Sequence, residues 1–345
     1  MNEDLLQFLS LPEQDLRDVY AGSANRLDTL PSYVEKDLWV CVVLDTLYNG
    51  LHYGSPKLLF KGGTSLSKAF GLINRFSEDI DLVVYRDDLG FEGDRDPTIN
   101  RSLSKRERER LFDGLKAECS SYILGDLRLT LADLIDGAGG GCRVVPDEDD
   151  ASRLTLLVEY PTMYASSETS YVSPRVKIEA GARSALEPNL ICTVHPYVDD
   201  ELLDWSFEVN NVRVLAPERT FWEKLLILHG TYCGYRDEQR VPTDSNRISR
   251  HYYDTAMILA SETGQSALTD FELLDAVREH NLIAFRQAWK RFEEATPGSV
   301  RLVPQPELRQ TIERDYAAMQ GMILGDVPEF GWILEQLEHA EAAIN

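Results

Sequence analysis

Two aspartates separated by one residue are the side chains of this sequence best suited to chemistry. Asp79 and Asp81 lie in the stretch SEDIDLVVY at 77–85, which predicts a β-strand. Side chains two apart on a strand project from the same face, with Cα atoms roughly 6.5 Å apart. Carboxylates that close repel each other, and hard oxygen ligands select Mg²⁺ or Mn²⁺. The pair therefore predicts a divalent-metal site; the alternative is that both side chains lie on the solvated face of an edge strand.

A glycine turn precedes the aspartates. The apolar run LLF at 58–60 predicts a buried strand that breaks at Gly62 and Gly63, where the backbone can approach a ligand closely. A short helix over 66–72 is predicted next, with Thr64 among its candidate N-cap hydroxyls. Free N–H groups at a helix start favour an anion. This stretch therefore predicts a phosphate-binding turn.

Together, these two features resemble a known group of enzymes. GGT at 62–64, followed by a short helix and by DID at 79–81, resembles the signature of the DNA-polymerase-beta-like nucleotidyltransferase superfamily. The longer wordings KGGTSLSK and RFSEDID resemble one branch, the AbiEii-type nucleotidyltransferase toxins of bacterial abortive-infection toxin–antitoxin systems. RTFWEKL at 219–225 and RHYYD at 250–254 resemble the third and fourth motifs of that family. The resemblance covers nearly the full length.

The resemblance implies a set of site residues. Asp79 and Asp81 would hold the metal, and Lys224 and Asp254 would belong to the active site, with Lys224 steadying the triphosphate. On physical grounds alone, Lys224 could instead extend from an apolar helix face to solvent, and Asp254 could stabilise the start of a helix at 255–259. The residues assigned to the nucleotide are Lys61, Gly62, Gly63, Thr64, Lys68 and Ser77, with Lys61 and Lys68 as alternative phosphate contacts to Lys224.

A third carboxylate is expected, because members of the superfamily place one on a later strand of the same sheet. Residues 175–180 predict a strand on which Glu179 faces away from the apolar side chains, which makes it the candidate for the metal. Glu159, on a predicted strand at 154–160, could serve instead. A surface pair of Lys177 and Glu179 would explain the pattern without any function.

The surrounding elements predict an α+β fold. Helices are predicted before residue 50, one of them starting near Pro31 with a capping box of Ser32 and Glu35 and packing on the sheet. The resemblance implies a polymerase-beta-like nucleotidyltransferase domain at 1–208, with a mixed sheet flanked by helices. From 209 to 345 the pattern turns mainly helical, which predicts a separate C-terminal domain. The resemblance implies that this domain completes the active site.

Charge limits the ways in which the chain can meet nucleic acid. Its 35 Lys and Arg against 58 Asp and Glu give a net charge of −23, so RNA contact needs local basic patches. Residues 101–110 carry five basic and two acidic side chains, within a predicted helix start capped by Ser104 and Glu107. A second basic segment is the predicted loop at 236–250. An exposed charged helix start without function remains the alternative for the first segment.

Composition places the chain among ordinary globular proteins. No apolar run reaches the roughly 20 residues of a membrane span, and the first residues lack the basic segment of a signal peptide. The five cysteines are scattered and show no C-x-x-C pairing, which predicts reduced structural thiols. We therefore expect a cytoplasmic protein without a membrane partner.

The resemblance implies a reaction and a biological role. It implies a toxin for phage defence that moves a nucleoside monophosphate from an NTP onto an RNA acceptor, a tRNA 3′ end, and so blocks translation, with a cognate antitoxin as partner. Nucleotidylation of a protein or small molecule, or GTP binding without transfer, are the alternatives. The sequence leaves open which nucleotide, acceptor and antitoxin are involved.

Overall fold

The computed structural model contains two compact units. Unit one comprises Met1–Ala69 and Phe76–Leu215, and unit two comprises Phe70–Arg75 and Ala216–Asn345. The division therefore follows residue 215 rather than 208, and a six-residue segment from the first half of the chain joins the second unit. The residues described are 1–137, 141–164, 173–198, 202, 204–243 and 247–345.

Unit one is built on a mixed sheet, which confirms the predicted α+β class. Its described strands are β1 (Leu58–Lys61), β2 (Asp79–Val84), β3 (Arg143–Pro146), β4 (Thr155–Glu159), β5 (Arg175–Gly181), β6 (Asn189–Val194) and β7 (Val209–Leu215). Their order across the sheet is β3-β4-β5-β2-β1-β7-β6. β3 and β6, which the sequence did not predict, are the outermost strands of this order. β1 and β2 therefore lie near its middle.

The central strands are held in a defined register. β2 runs antiparallel to β1 and parallel to β5, while β1 runs parallel to β7. Leu59, Val83 and Leu215 form a buried apolar cluster on these strands. Burying side chains of this size stabilises the sheet by about 1.5–3 kcal/mol each. The sheet is therefore a rigid support for residues on its central strands.

Helices surround the sheet, and one of them is buried on all sides. The described helices of unit one are α1 (Glu3–Leu9), α2 (Glu13–Leu27), α3 (Pro31–Asp45), α4 (Gly62–Lys68), α5 (Lys105–Tyr122) and α6 (Arg128–Asp136). α3 packs on β5 and β7, as expected, and every residue from Tyr33 to Asp45 is buried. The predicted capping box of Ser32 and Glu35 is wrong, because α3 starts at Pro31 with no side-chain cap. α3 therefore brings its charged residues into the interior.

Unit two is helical in its described residues. Its helices are α7 (Pro217–Glu238), α8 (Ser249–Leu259), α9 (Glu262–Ala267), α10 (Phe271–Ala284), α11 (Pro306–Met319) and α12 (Phe330–Ile344). The segment Phe70–Arg75 attaches to it through a bridge between Arg75 and Ile323 and a bond from the Leu324 amide to the Asn74 carbonyl at 2.7 Å. Of the helices in the part described, none is long and apolar enough to cross a membrane.

Candidate active site

The two candidate metal ligands lie on the central strand β2. Asp79 and Asp81 are half-buried and project from one face, while Ile80 and Leu82 between and beyond them are fully buried on the other. Asp81 lies opposite Lys61 of β1 in the antiparallel ladder. The period of two and the buried apolar residues fix which way the carboxylates point.

The glycine turn lies directly against one of these carboxylates. Gly62 has φ +84°, a backbone conformation that residues with a Cβ rarely adopt. A Cβ built on Gly62 would overlap the side-chain carboxylate of Asp81. Gly62 therefore serves two purposes, since it allows the turn after β1 and leaves room for Asp81.

The helix after the turn begins earlier than the sequence predicted. α4 starts at Gly62 rather than at residue 66, so Thr64 lies inside it and is no N-cap. The Thr64 hydroxyl donates to the Asp79 carbonyl at 2.5 Å and is 2.8 Å from the Ser77 hydroxyl. Thr64 thus joins α4 to the start of β2. The predicted contacts of Gly63, Thr64 and Ser77 with phosphate stay predictions.

The electrostatics of β2 fit a divalent cation. Burial, and then the neighbouring negative charges, raise the pKa of Asp79 to about 6. Those charges belong to Glu78, Glu179 and Asp81, and the Lys36 cation opposes them. A hard cation bound to the two aspartates would relieve this repulsion, and Mg²⁺ commonly takes one or two carboxylates with water and substrate phosphates. Among the described residues, no three His, Cys, Asp or Glu side chains form a metal-binding group by themselves.

The two candidates for the third carboxylate occupy different strands. Glu179 lies on β5 in register with Asp81, on the strand next to β2, and its carboxylate is 2.6 Å from the Lys177 ammonium. Glu159 lies one strand further out on β4 and pairs with Arg143 at 2.6 Å. The register therefore favours Glu179 over Glu159 as the candidate third carboxylate. The structure also contains the pair of Lys177 and Glu179, which is the alternative that needs no function.

Lys68, a predicted phosphate contact, lies in the interior. Its side chain is 3% exposed and forms an ion pair with Asp37 of α3. The Lys68 ammonium also donates to the His195 carbonyl at 3.1 Å and lies 3.7 Å from the centre of the Tyr197 ring. These contacts occupy the cation within the protein. Lys68 as a direct ligand of the nucleotide stays an untested prediction.

α3 carries a second buried ion pair beside the first. Lys36 pairs with Glu78 at 2.5 Å, and their side chains are 4% and 13% exposed. Adjacent opposite charges on a helix are usually solvated, but Lys36 and Asp37 are both buried. Sequence reasoning missed both residues, because adjacent opposite charges look the same in a sequence whether they are buried or solvated. The one sequence signal for them is that the Lys36-Asp37 dipeptide resembles the N-terminal wording of the AbiEii-type family.

In unit two, Asp254 is the centre of a buried cluster of charges. Asp254 is 0% exposed and accepts two hydrogen bonds from the Arg75 guanidinium, at 2.7 and 2.8 Å. Lys224 of α7, 6% exposed, donates to the same carboxylate at 2.7 Å. The cluster therefore joins α7, α8 and the segment Phe70–Arg75 within this unit.

The protonation of this cluster follows from its contacts. Burial alone would raise the pKa of Asp254, but Arg75 and Lys224 hold it well below its ordinary range. Burial lowers the pKa of Lys224, and Arg75 and Arg250 add to that effect against the attraction of Asp254. Two simple interpretations are therefore wrong. Lys224 does not extend to solvent, and Asp254 lies in the middle of α8 rather than at a helix start.

The fold and the β2 site define a class of protein. Two aspartates on one face of a strand, with a glycine turn packed against one of them, form an arrangement typical of nucleotidyltransferases, in which a metal and backbone donors act on a triphosphate. The family model described as "Nucleotidyl transferase AbiEii toxin, Type IV TA system" matches residues 46–336, and the chain belongs to this family. The resemblance and the enzyme class are confirmed. Membership implies an NTP substrate and an antitoxin partner.

Two further comparisons complete these findings. No curated protein matches the chain. Among solved structures, the chain is similar to MenT4, a nucleotidyltransferase toxin from Mycobacterium tuberculosis H37Rv, with 18% sequence identity and a TM-score of 0.47. That match covers 94% of this chain and 89% of MenT4.

Proposed function

We propose that this protein transfers a nucleoside monophosphate from an NTP to the 3′ end of a tRNA, and that it thereby blocks translation as a toxin in phage defence. The observation that carries the proposal is the packing of Gly62 against Asp81 on the strand that also presents Asp79. The phosphate-binding turn therefore lies directly beside one of the two candidate metal ligands. This proximity suits attack on a bound triphosphate. Cytoplasmic action follows from the tRNA acceptor.

Each residue has a proposed part in this reaction. Asp79 and Asp81, with Glu179 as the third carboxylate, would hold Mg²⁺ or Mn²⁺, and the bound ion would supply charge stabilisation at the phosphate and at the acceptor hydroxyl. The amide groups that follow Gly62 donate to the β- and γ-phosphates. Lys224 is assigned to the pyrophosphate leaving group on the strength of the family motif.

The RNA acceptor is supported by the charge on α5. The capping box of Ser104 and Glu107 is confirmed, and it fixes a helix start in an acidic protein where Lys105, Arg106 and Arg110 are exposed. Arg108 is not available in the same way, because its guanidinium donates to the Pro97 and Asn100 carbonyls at 2.5 and 2.9 Å. On α5 itself, Lys105, Arg106 and Arg110 are therefore the exposed cations that a polyanion could meet, with Glu109 3.9 Å from the Lys105 ammonium.

The second basic segment contributes less than the sequence predicted. Arg236 lies in α7, not in a loop, and pairs with Asp237 and Glu294, while Arg240 pairs with Glu238. These carboxylates compensate the positive charge of Arg236 and Arg240. Part of the segment, residues 244–246, lies outside the described residues.

A labelling experiment tests the proposal. Purified protein is incubated with Mg²⁺, each α-³²P-labelled NTP in turn, and either total tRNA or total protein. We expect label on tRNA with the wild type and none with Asp79→Ala or Asp81→Ala. Label on protein or on a small molecule would replace the RNA acceptor by one of the alternatives. NTP binding without any labelled product would favour a nucleotide-binding toxin that performs no transfer.

A further inference from the structure

Two adjacent residues of α3 contact the two segments that form the candidate site. Lys36 pairs with Glu78, which directly precedes Asp79, and Asp37 pairs with Lys68, the last residue of α4. α4 begins at the Gly62 turn, so each pair holds one of the two parts that must meet at the triphosphate. We refer to these four residues as the α3 clamp.

The α3 clamp is tied to further backbone. The Lys36 ammonium also donates to the Ser173 carbonyl at 3.1 Å, and the Asp37 carboxylate accepts from the Tyr197 amide at 2.7 Å. All four charged side chains are 13% exposed or less. Lys36 and Asp37 are therefore each held by two contacts, in a place that water hardly reaches.

The signs of the four charges make the arrangement selective. Lys36 is positive and takes Glu78, while its neighbour Asp37 is negative and takes Lys68. If α4 and the start of β2 exchanged places, Lys68 would meet Lys36 and Glu78 would meet Asp37, so like charges would lie together in a low-dielectric interior. Buried ion pairs seldom stabilise a fold more than apolar residues would, but they can specify one arrangement over others. The α3 clamp suits that purpose.

We propose that Lys36 and Asp37 are positioning residues for nucleotidyl transfer. Lys36 acts through Glu78 on Asp79 and Asp81, and Asp37 acts through Lys68 on α4 and the Gly62 turn. The inference rests on the proposed roles of Asp79 and Gly62. It assigns Lys68 a part in holding α4 rather than in touching the nucleotide. Displacement of a catalytic group by about 1 Å can lower a rate 10²-fold, so such positioning has a measurable effect.

Two double variants test the proposal, because each removes both charges of a pair and leaves no buried charge unpaired. For Lys36→Met with Glu78→Gln, we expect kcat to fall at least about tenfold, with the NTP KM within about threefold of the wild type. For Asp37→Asn with Lys68→Met, we expect the NTP KM and the Kd for Mg²⁺-NTP to rise at least about fivefold. Melting temperatures and circular dichroism establish that both variants fold.

A third double variant is the matched control. Arg86 and Asp96 form a buried pair at 2.7 Å beyond the other end of β2, with side chains that are 6% and 5% exposed. Arg86→Met with Asp96→Asn should lower the melting temperature while kcat and KM stay at wild-type values. Kinetic losses in this control equal to those of the α3 clamp variants would overturn the proposal, because general destabilisation would then explain them. Wild-type kinetics in both α3 clamp variants would overturn it as well.

Single variants separate positioning from direct contact at Lys68. If Lys68 acts through Asp37, then Asp37→Asn, Lys68→Met and the double variant raise the NTP KM to the same extent. If Lys68 touches the nucleotide, Asp37→Asn leaves KM unchanged and the positioning role of Asp37 is rejected. The Kd of Mg²⁺-NTP, measured by calorimetry, needs no acceptor. A wild type that binds NTP but labels no tRNA would therefore reject the proposed function and still allow this test.

Discussion

At the scale of single residues, the acidity of Asp79 predicts a pH dependence of stability in the metal-free protein. The folded pKa of about 6 lies above the ordinary value near 4, so the folded state holds a proton that the unfolded state has released between those pH values. Unfolding free energy should therefore fall as the pH rises from about 4 to about 6, by at most about 3 kcal/mol from this group. Asp79→Asn should be more stable than the wild type above pH 6 and equally stable below pH 4.

Chemical denaturation at several pH values, in the presence of EDTA, measures this difference. Asp133→Asn, on an exposed position of α6, is the matched control and should leave the pH profile unchanged. Added Mg²⁺ or Mn²⁺ should raise the melting temperature of the wild type and not that of Asp79→Asn. A wild type and an Asp79→Asn variant with parallel pH profiles would contradict the assignment of this charge repulsion.

Asp254 and Lys224 should differ in what their replacement does. Asp254→Asn removes the carboxylate that Arg75 and Lys224 share and leaves the Lys224 cation buried without its ion pair, so unfolding free energy should fall by about 3–5 kcal/mol. Lys224→Ala leaves Asp254 paired with Arg75 and should cost less. With its fold retained, Lys224→Ala should raise the NTP KM or lower kcat, and Lys224→Arg should restore activity only in part.

Urea denaturation measures the loss of stability, and steady-state kinetics of the folded variants measure the loss of catalysis. Wild-type kinetics for both Lys224 variants would show that this lysine serves the buried cluster alone. In that case the leaving-group contact would pass to Lys61. Loss of activity in Asp254→Asn counts toward catalysis only at temperatures where the variant is folded.

At the scale of elements, the turn between β1 and α4 predicts a selective effect of a single methyl group. Gly62→Ala introduces strain at φ +84° and overlaps the Asp81 carboxylate, so we expect kcat to fall about 100-fold or more. Gly54 has φ +93° with open space around its Cβ position, which makes Gly54→Ala the control with the same kind of strain and no overlap. Both variants should lose about 1–2 kcal/mol of stability.

Transfer assays and melting temperatures of the two variants decide the matter. Equal activity of Gly62→Ala and Gly54→Ala would mean that Asp81 can move aside without loss. The glycine would then be needed for the turn only, and the close approach between turn and carboxylate would have no catalytic meaning.

At the scale of the whole molecule, the net charge of −23 predicts that RNA approaches where the field is locally reversed. Lys105→Ala, Arg106→Ala and Arg110→Ala together should raise the KM for tRNA several-fold and leave the NTP KM unchanged. The slope of log K against log salt should also become shallower, by about one unit for each cation that no longer binds a phosphate. Activity measured across a KCl series tests both expectations.

A control with the same change of charge is available elsewhere. Arg286, Arg309 and Arg314 are exposed cations of unit two, and their replacement by alanine alters the net charge equally. The control should keep the wild-type KM for tRNA and the wild-type salt profile. Identical behaviour of the two triple variants would reject α5 as an RNA contact and favour a solvated helix start without function.

The sequence by itself determined the features that depend on local spacing. Asp79 and Asp81 share a face because strand side chains alternate, and Ser104 with Glu107 caps α5 because both bonds close within one turn. The family was recognisable for the same reason, since its motifs are short wordings. The start of α4 was missed, because Thr64 bonds across to Asp79 instead of capping its own helix.

Only the tertiary structure decided which charges are buried and what they meet. Lys36 and Glu78 are 42 residues apart, and Arg75 and Asp254 are 179 apart, so no local pattern predicts either pair. Glu179 lies beside Asp81 because β2 and β5 pair in a parallel register, and that register depends on the whole sheet. The physical reason is that a charge in the sequence carries no record of its solvent exposure. The packing of α3 and α8 decides whether water or another side chain compensates it.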